Sequence, residues 1–199
     1  RSAAGVVIAA SHNPWSDKGI KVYSGDGYKL PDAHEIAIEQ EIFALLQNPE
    51  ARVDSSFQPT PSLPGQGELR HAYIVWLAQN VGTDLSRLRV LVDCAHGAAT
   101  AEAPELFRLC RMQATFLSAA PDGKNINENC GALHPETVAG AVAEKRGEFD
   151  LGVTFDGDAD RALFCDANGR VGNDTAALLR AARARKTPRA GARGGAGRT

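Results

Sequence analysis

Asp150-Leu-Gly-Val-Thr-Phe155-Asp156-Gly-Asp-Ala-Asp160-Arg161 is the stretch that decides the fold class. Its first six residues form a short apolar run, which reads as a buried strand, and the strand runs straight into a cluster of carboxylates. Working outward, the same alternation repeats. Arg89 to Asp93 reads as a strand, residues 98–110 as a helix despite Pro104, and Met112 to Leu117 as a strand. Pro135 to Arg146 reads as a helix with proline at its first position, where a missing N–H costs nothing. Past the acidic stretch, Ala162 to Cys165 starts another strand, ended by a turn at Asp166-Ala-Asn-Gly169. Strands alternating with helices predict an α/β fold on a mixed, largely parallel sheet. Ligands in such folds gather beyond the carboxyl ends of the strands, and Asp156 stands at one of them.

Asp156, Asp158 and Asp160 place three carboxylates within five residues. Ionised together they repel, and the repulsion is relieved by a hard divalent cation with oxygen ligands. Mg²⁺ suits this set because it takes few protein oxygens and keeps positions for phosphate or water. The loop is not an EF-hand, since Arg161 and Ala167 occupy the places of the required glycine and glutamate. The plainer alternative is a solvated acidic turn. The strand leading in and Arg161 behind favour the metal reading.

Near the other end, Gly5-Val-Val-Ile-Ala-Ala10 predicts a short buried strand that delivers Ser11-His12-Asn13-Pro14 onto a tight turn. A second strand follows at Ile20-Lys21-Val22-Tyr23. A serine at a strand tip with a lysine returning nearby suits chemistry on a hydroxyl. A Ser-His pair is more often a cap or a turn, and no G-x-S-x-G elbow surrounds Ser11. Acyl transfer would leave the acidic loop idle, whereas phosphoryl transfer gives every part work. His34, His71 and His96 look incidental, and Cys130 with His134 lacks the second ligand pair of a zinc site.

Between these loops, Asp32 and Glu35 form a capping-box pattern ahead of Ile36, Ile38, Ile42, Phe43 and Leu46, predicting an amphipathic helix over 33–47. Residues 54–67, rich in proline and glycine, read as a linker, and 68–80 as a helix. The net charge of −2 hides an asymmetry. Seven of the 22 Lys and Arg follow Asp174, and none of the 24 acids does, so the body is acidic and argues against a nucleic-acid surface. The tail at 175–199 is Ala, Arg and Gly with one Pro, reads as disordered, and has the look of a frameshifted product. Four cysteines without paired spacing fit reduced thiols in a cytoplasmic protein, and no apolar run reaches membrane-spanning length. Opening almost inside a strand and without Met, the chain reads as a fragment.

Ala10-Ser11-His12-Asn13-Pro14, with Asp17 and Gly19-Ile20-Lys21, resembles the phosphoserine loop of the α-D-phosphohexomutases, and Asp156-Gly-Asp-Ala-Asp-Arg161 resembles their Mg²⁺ loop. Val92-Asp93-Cys94-Ala95, Gly97, Asn125-Ile-Asn-Glu-Asn-Cys130-Gly131 and His134-Pro135-Glu136 are similar to the phosphoglucosamine mutase branch. The resemblance covers residues 1 to about 174. It implies an intramolecular phosphotransferase that interconverts glucosamine 6-phosphate and glucosamine 1-phosphate through a bisphosphate, in the supply of cell-wall amino sugars. It further implies that Ser11 carries the phosphoryl group and touches the metal, and that Asp156, Asp158 and Asp160 hold Mg²⁺. Lys21 matches the general acid/base, while His12, Asn13 and Arg161 orient phosphate or sugar. By the same resemblance, 1–66 is part of domain 1 and 67–174 is domain 2. The family's Gly-Glu-x-Ser-Gly-His and Arg-x-Ser-Gly-Thr loops do not occur here, Lys18 replaces a usual Asn, and the fragment is expected to be inactive alone. Glucose or mannose phosphate as substrate, an Asp156 nucleophile of haloacid-dehalogenase style, and a non-catalytic metal-binding module are the competing readings.

Overall fold

A computed structural model of the chain describes residues 3–48, 65–82 and 84–172. The basic tail and most of the proposed linker lie outside the described residues.

The carboxyl-terminal part is built on a five-stranded sheet. β3 (Arg89–Asp93), β4 (Gln113–Leu117), β5 (Leu151–Phe155), β6 (Ala162–Asp166) and β7 (Val171–Gly172) lie in the order β4-β3-β5-β6-β7. β1 (Ala4–Ala9) and β2 (Gly19–Ser24) stand outside it. The sheet is mixed, as expected, with its parallel part confined to β4-β3-β5. β6 returns antiparallel to β5 across 156–161, and β7 to β6 across 167–170, because neither short segment leaves room for a crossover helix. The acidic stretch is therefore the loop of a hairpin at the carboxyl end of β5.

Helices cover both faces of this sheet. α3 (Ala99–Leu109), which keeps Pro104 inside it, packs Ala99, Ala103 and Phe107 on Val90, Val92 and Val153. α4 (Pro135–Glu144) packs Val138, Ala139 and Val142 on Leu91 and Cys165 of the opposite face. Successive residues of β3 thus alternate between two cores, and the strand reads as one continuous apolar run. A 3-10 turn at Gly131–Leu133 precedes α4. α2 (Gln66–Gln79) lies on α3, where Arg70 pairs with Glu102 at 3.1 Å and His71 with Glu105 at 2.8 Å. All four cysteines are free thiols, and burial pushes that of Cys94 up to about 12. No helix among the described residues is long and apolar enough to cross a membrane.

The first segment departs from expectation. β1 (Ala4–Ala9) pairs antiparallel with β2 (Gly19–Ser24) in a separate two-stranded sheet, and α1 (Asp32–Gln47) follows. β1 is not the buried strand that its apolar run predicts, since Val6 is 63% and Ile8 67% exposed. It has one hydrogen-bonded neighbour among the described residues, and a two-stranded ribbon has no interior. The amphipathic face predicted for α1 forms a helix but buries no residue.

Asp150 closes the start of β5 against β3. Its Oδ1 accepts from the Arg89 guanidinium at 2.8 Å, its Oδ2 accepts the Arg89 backbone N–H at 2.9 Å, and its own N–H donates to the Arg89 carbonyl at 2.8 Å. The Arg89 side-chain hydrogen bonds, and then the backbone bond, hold the Asp150 carboxyl below its ordinary value. A carboxyl lowered on folding stabilises above its unfolded value and loses that contribution as pH falls through the folded one. The stability difference between wild type and Asp150→Asn, read from urea unfolding, is expected to be level above about pH 5 and to shrink as pH drops below about 4. A difference that grew with acid would contradict this ion pair.

Candidate active site

Two loops meet. One joins β1 to β2 and carries Ser11; the other joins β5 to β6 and carries the three aspartates. The backbone does the joining. The Gly157 N–H donates to the Ser11 carbonyl at 2.9 Å, and the Ala98 N–H donates to the Gly157 carbonyl at 2.8 Å. Both glycines are needed for this closeness. A Cβ on Gly157 would lie 2.5 Å from the Ser11 carbonyl oxygen, and one on Gly97 would collide with the Gly157 carbonyl. Ser11 itself sits at φ 51, a left-handed conformation that side chains rarely adopt and that tight functional turns often hold.

The side chains then converge. Ser11 Oγ donates to Asp156 Oδ2 at 3.2 Å, and the Arg161 backbone N–H donates to Asp156 Oδ1 at 3.1 Å. Asp156 is fully buried, and burial raises its carboxyl above the ordinary range; the Arg161 hydrogen bond opposes that, while Asp158 and Asp160 add to it. Lys21 Nζ donates to Asp158 Oδ2 at 2.9 Å and lies 3.8 Å from Asp160 Oδ2. Burial alone would raise Asp158, but the hydrogen bond and charge of Lys21 outweigh it and the net shift is downward. Lys21 is raised in turn, chiefly by its bond to Asp158, so it is an ammonium at neutral pH.

Asp156, Asp158 and Asp160 bring one carboxylate oxygen each within 4.8 Å of one another. Asp158 Oδ1 is buried with no hydrogen-bond partner, although a carboxylate oxygen in such a place ordinarily has one. An all-oxygen set with an orphaned acceptor fits a hard divalent cation.

Of the residues expected from sequence, Ser11, Lys21, Asp156, Asp158 and Asp160 come together. His12 Nδ1 stands 3.5 Å from Ser11 Oγ, at the outer limit of a hydrogen bond. The Arg161 side chain is exposed, with Nε 3.9 Å from Asp160. Asn13 takes part through its backbone, its N–H donating to the Ala10 carbonyl at 2.9 Å. Two residues that bind the site's backbone had no role assigned from sequence. Asn127 donates from Nδ2 to the Ser11 and Asn13 carbonyls, both at 2.8 Å. Asp93, fully buried, accepts from the Ala95 N–H at 2.9 Å, the Gly131 N–H at 2.8 Å and the Thr154 hydroxyl at 3.3 Å. Both fall in stretches that carry the family likeness, but nothing local to either stretch says which partner it meets.

Comparison with known proteins agrees with this geometry. The profiles described as phosphoglucomutase/phosphomannomutase, alpha/beta/alpha domain I and domain II, match residues 1–49 and 71–169. The phosphoglucosamine mutase of Koribacter versatilis is 52% identical over 182 residues, which are 91% of this chain and 39% of that protein. That of Solibacter usitatus is 45% identical over 184 residues, 92% of this chain and 39% of the relative. The chain therefore spans about two fifths of the length of these curated relatives. A phosphoglucomutase/phosphomannomutase family protein of Burkholderia thailandensis has the same fold, with a TM-score of 0.60 at 23% identity over 86% of this chain and 35% of that one.

The backbone junction makes two glycine substitutions diverge in sign. Gly157→Ala presses a methyl on backbone that cannot yield, and is expected to lower stability by roughly 1–3 kcal/mol. Gly140→Ala, in α4 with nothing within 4 Å of its Cβ, is expected to raise it by about 0.5–1 kcal/mol. Paired urea melts check both; equal shifts would mean that the loops are not in contact through Gly157.

Proposed function

Because the chain belongs to the phosphoglucomutase/phosphomannomutase family, we propose that it supplies the phosphoserine and metal-binding parts of a phosphoglucosamine mutase. In that reading, residues 1–66 belong to domain 1 and 67–174 to domain 2, in a cytoplasmic enzyme acting on a hexosamine phosphate. The observation that carries the reading is the Ser11 hydroxyl, hydrogen-bonded at 3.2 Å to a buried member of a three-carboxylate cluster.

In the reaction, phosphorylated Ser11 gives its phosphoryl group to a sugar hydroxyl. The phosphorus–Oγ bond breaks as a bond to the sugar oxygen forms. Lys21, an ammonium, protonates Ser11 Oγ as it leaves and recovers the proton released by the sugar hydroxyl. The resulting bisphosphate turns over, and its other phosphoryl group returns to Ser11 by the reverse sequence. Asp156, Asp158 and Asp160, with the Ser11 phosphate, would hold Mg²⁺, which supplies positive charge to the phosphoryl oxygens. His12, Asn13 and Arg161 orient phosphate or sugar at the rim. The grip on the distal phosphate belongs to the longer enzyme, and the chain alone is not expected to turn over free sugar phosphate.

The geometry disfavours Asp156 as the nucleophile. Both its oxygens are engaged, by Ser11 and by the Arg161 backbone, and the group is fully buried. Exposing the chain to a hexose 1,6-bisphosphate and mapping phosphopeptides is expected to find acid-stable phosphate on Ser11. Hydroxylamine-labile phosphate on Asp156 would overturn the assignment.

Mg²⁺ titration by calorimetry tests the cluster separately. Binding to the wild-type chain and its loss in Asp158→Ala are expected. Equal affinity in the two would remove the metal from the reading.

A further inference from the structure

We propose that Asn127 is a positioning residue for phosphoryl transfer, holding the Ser11 turn in register with the acidic loop; the proposal rests on Ser11 as the phosphoryl carrier. A single amide nitrogen, Nδ2, donates to two backbone carbonyls of the turn, Ser11 and Asn13, at 2.8 Å each. The orientation of this carboxamide follows from its partners, because a flipped group would set its oxygen against both carbonyls. Asn127 is itself fixed. The residue is 9% exposed, and its N–H donates to the Ala95 carbonyl at 2.9 Å, just beyond the end of β3. Its φ of 60 is a left-handed conformation that asparagine tolerates and β-branched residues do not.

The Ser11 carbonyl thus takes two donors, Asn127 Nδ2 and the Gly157 N–H, and Gly157 stands between Asp156 and Asp158 of the acidic loop. A Cβ on Gly157 would come within 2.9 Å of Asn127 Nδ2, so the amide fills the space that this glycine leaves. Asn127 touches no reacting atom. It acts through the Ser11 and Asn13 backbone, fixing where the Ser11 hydroxyl points relative to the carboxylates. Phosphoryl transfer depends on in-line alignment, and freeing that turn costs rate rather than substrate affinity.

Asn127→Gly removes the amide and keeps the left-handed backbone; Asn127→Asp keeps the shape and turns a donor into a carboxylate facing two carbonyls. Two readouts separate the tether from the chemistry. Amide hydrogen exchange is expected to speed up tenfold or more over residues 10–14 in both variants, while β3 and β5 keep wild-type protection. Phosphorylation of Ser11 by a hexose 1,6-bisphosphate is expected to slow tenfold or more at saturation, with the half-saturating concentration moving less than threefold. Asn127→Asp is expected to be the slower of the two. Unchanged exchange over 10–14 would overturn the proposal, as would faster exchange spread equally through β3 and β5, which marks a merely structural role. Should the wild-type chain take phosphate on a residue other than Ser11 while the loop exchange rises in the variants, the tether stands and the phosphoserine reading fails.

Discussion

The site depends on the approach of three backbones with no side chain between them. The Ser11 carbonyl meets the Gly157 N–H, and the Gly157 carbonyl meets the Ala98 N–H. Residues far apart in the chain reach this distance only because positions 97 and 157 carry no Cβ. Close backbone contact is an old use of glycine, and here it sets the separation between a hydroxyl and a carboxylate cluster. Asp93 supports the junction from beneath. Its buried carboxylate gathers the Ala95 and Gly131 N–H groups and the Thr154 hydroxyl, tying the end of β3 to β5 and to the segment that carries Asn127.

Charge is distributed around that junction in a way that suits a cation. Three carboxylates gather at the tip of the β5–β6 hairpin, and among the described residues one ammonium, Lys21, faces two of them. Lys21 satisfies one oxygen of Asp158 and leaves the other buried without a donor. Burial raises Asp156 while Lys21 lowers Asp158, so neighbouring groups in one loop are pushed apart in acidity. Groups of the same kind with divergent environments are a mark of functional sites.

How much of this was legible in the sequence follows from how local each feature is. The strands and helices of the five-stranded sheet were legible because their apolar runs and their proline and glycine punctuation act within a few residues; α4 begins at Pro135 as expected. The acidic loop was legible because its three carboxylates are adjacent in sequence. The hairpin that presents it departs from the largely parallel expectation, since a six-residue connection admits only an antiparallel return. Asn127 was not legible as a tether, because its partners stand more than a hundred residues away and are backbone carbonyls with no sequence signature. The buried strand expected at Val6–Ile8 failed for a different reason. An apolar run states what a strand would bury if it were covered, and the run alone does not supply the cover.

That failure bears on the site. With β1 and β2 forming a lone ribbon and α1 burying nothing, the segment carrying Ser11 has no core of its own among the described residues. An isolated hairpin is marginal in water, so its loop cannot owe its order to the strands that bear it. The order comes instead from the loop's contacts with the larger sheet: Gly157 and Asn127 on the Ser11 backbone, Asp156 on its hydroxyl, Asp158 on Lys21, and Lys124 Nζ 5.5 Å above the Trp15 ring. Each contact is worth on the order of 1 kcal/mol, and together they make a cooperative patch rather than a rigid wall. Ser11 is thus held by the surface that carries the three aspartates. Whatever moves one loop moves the other with it, which the proposed phosphoryl transfer from Ser11 needs if its alignment is to survive motion of the strands behind it.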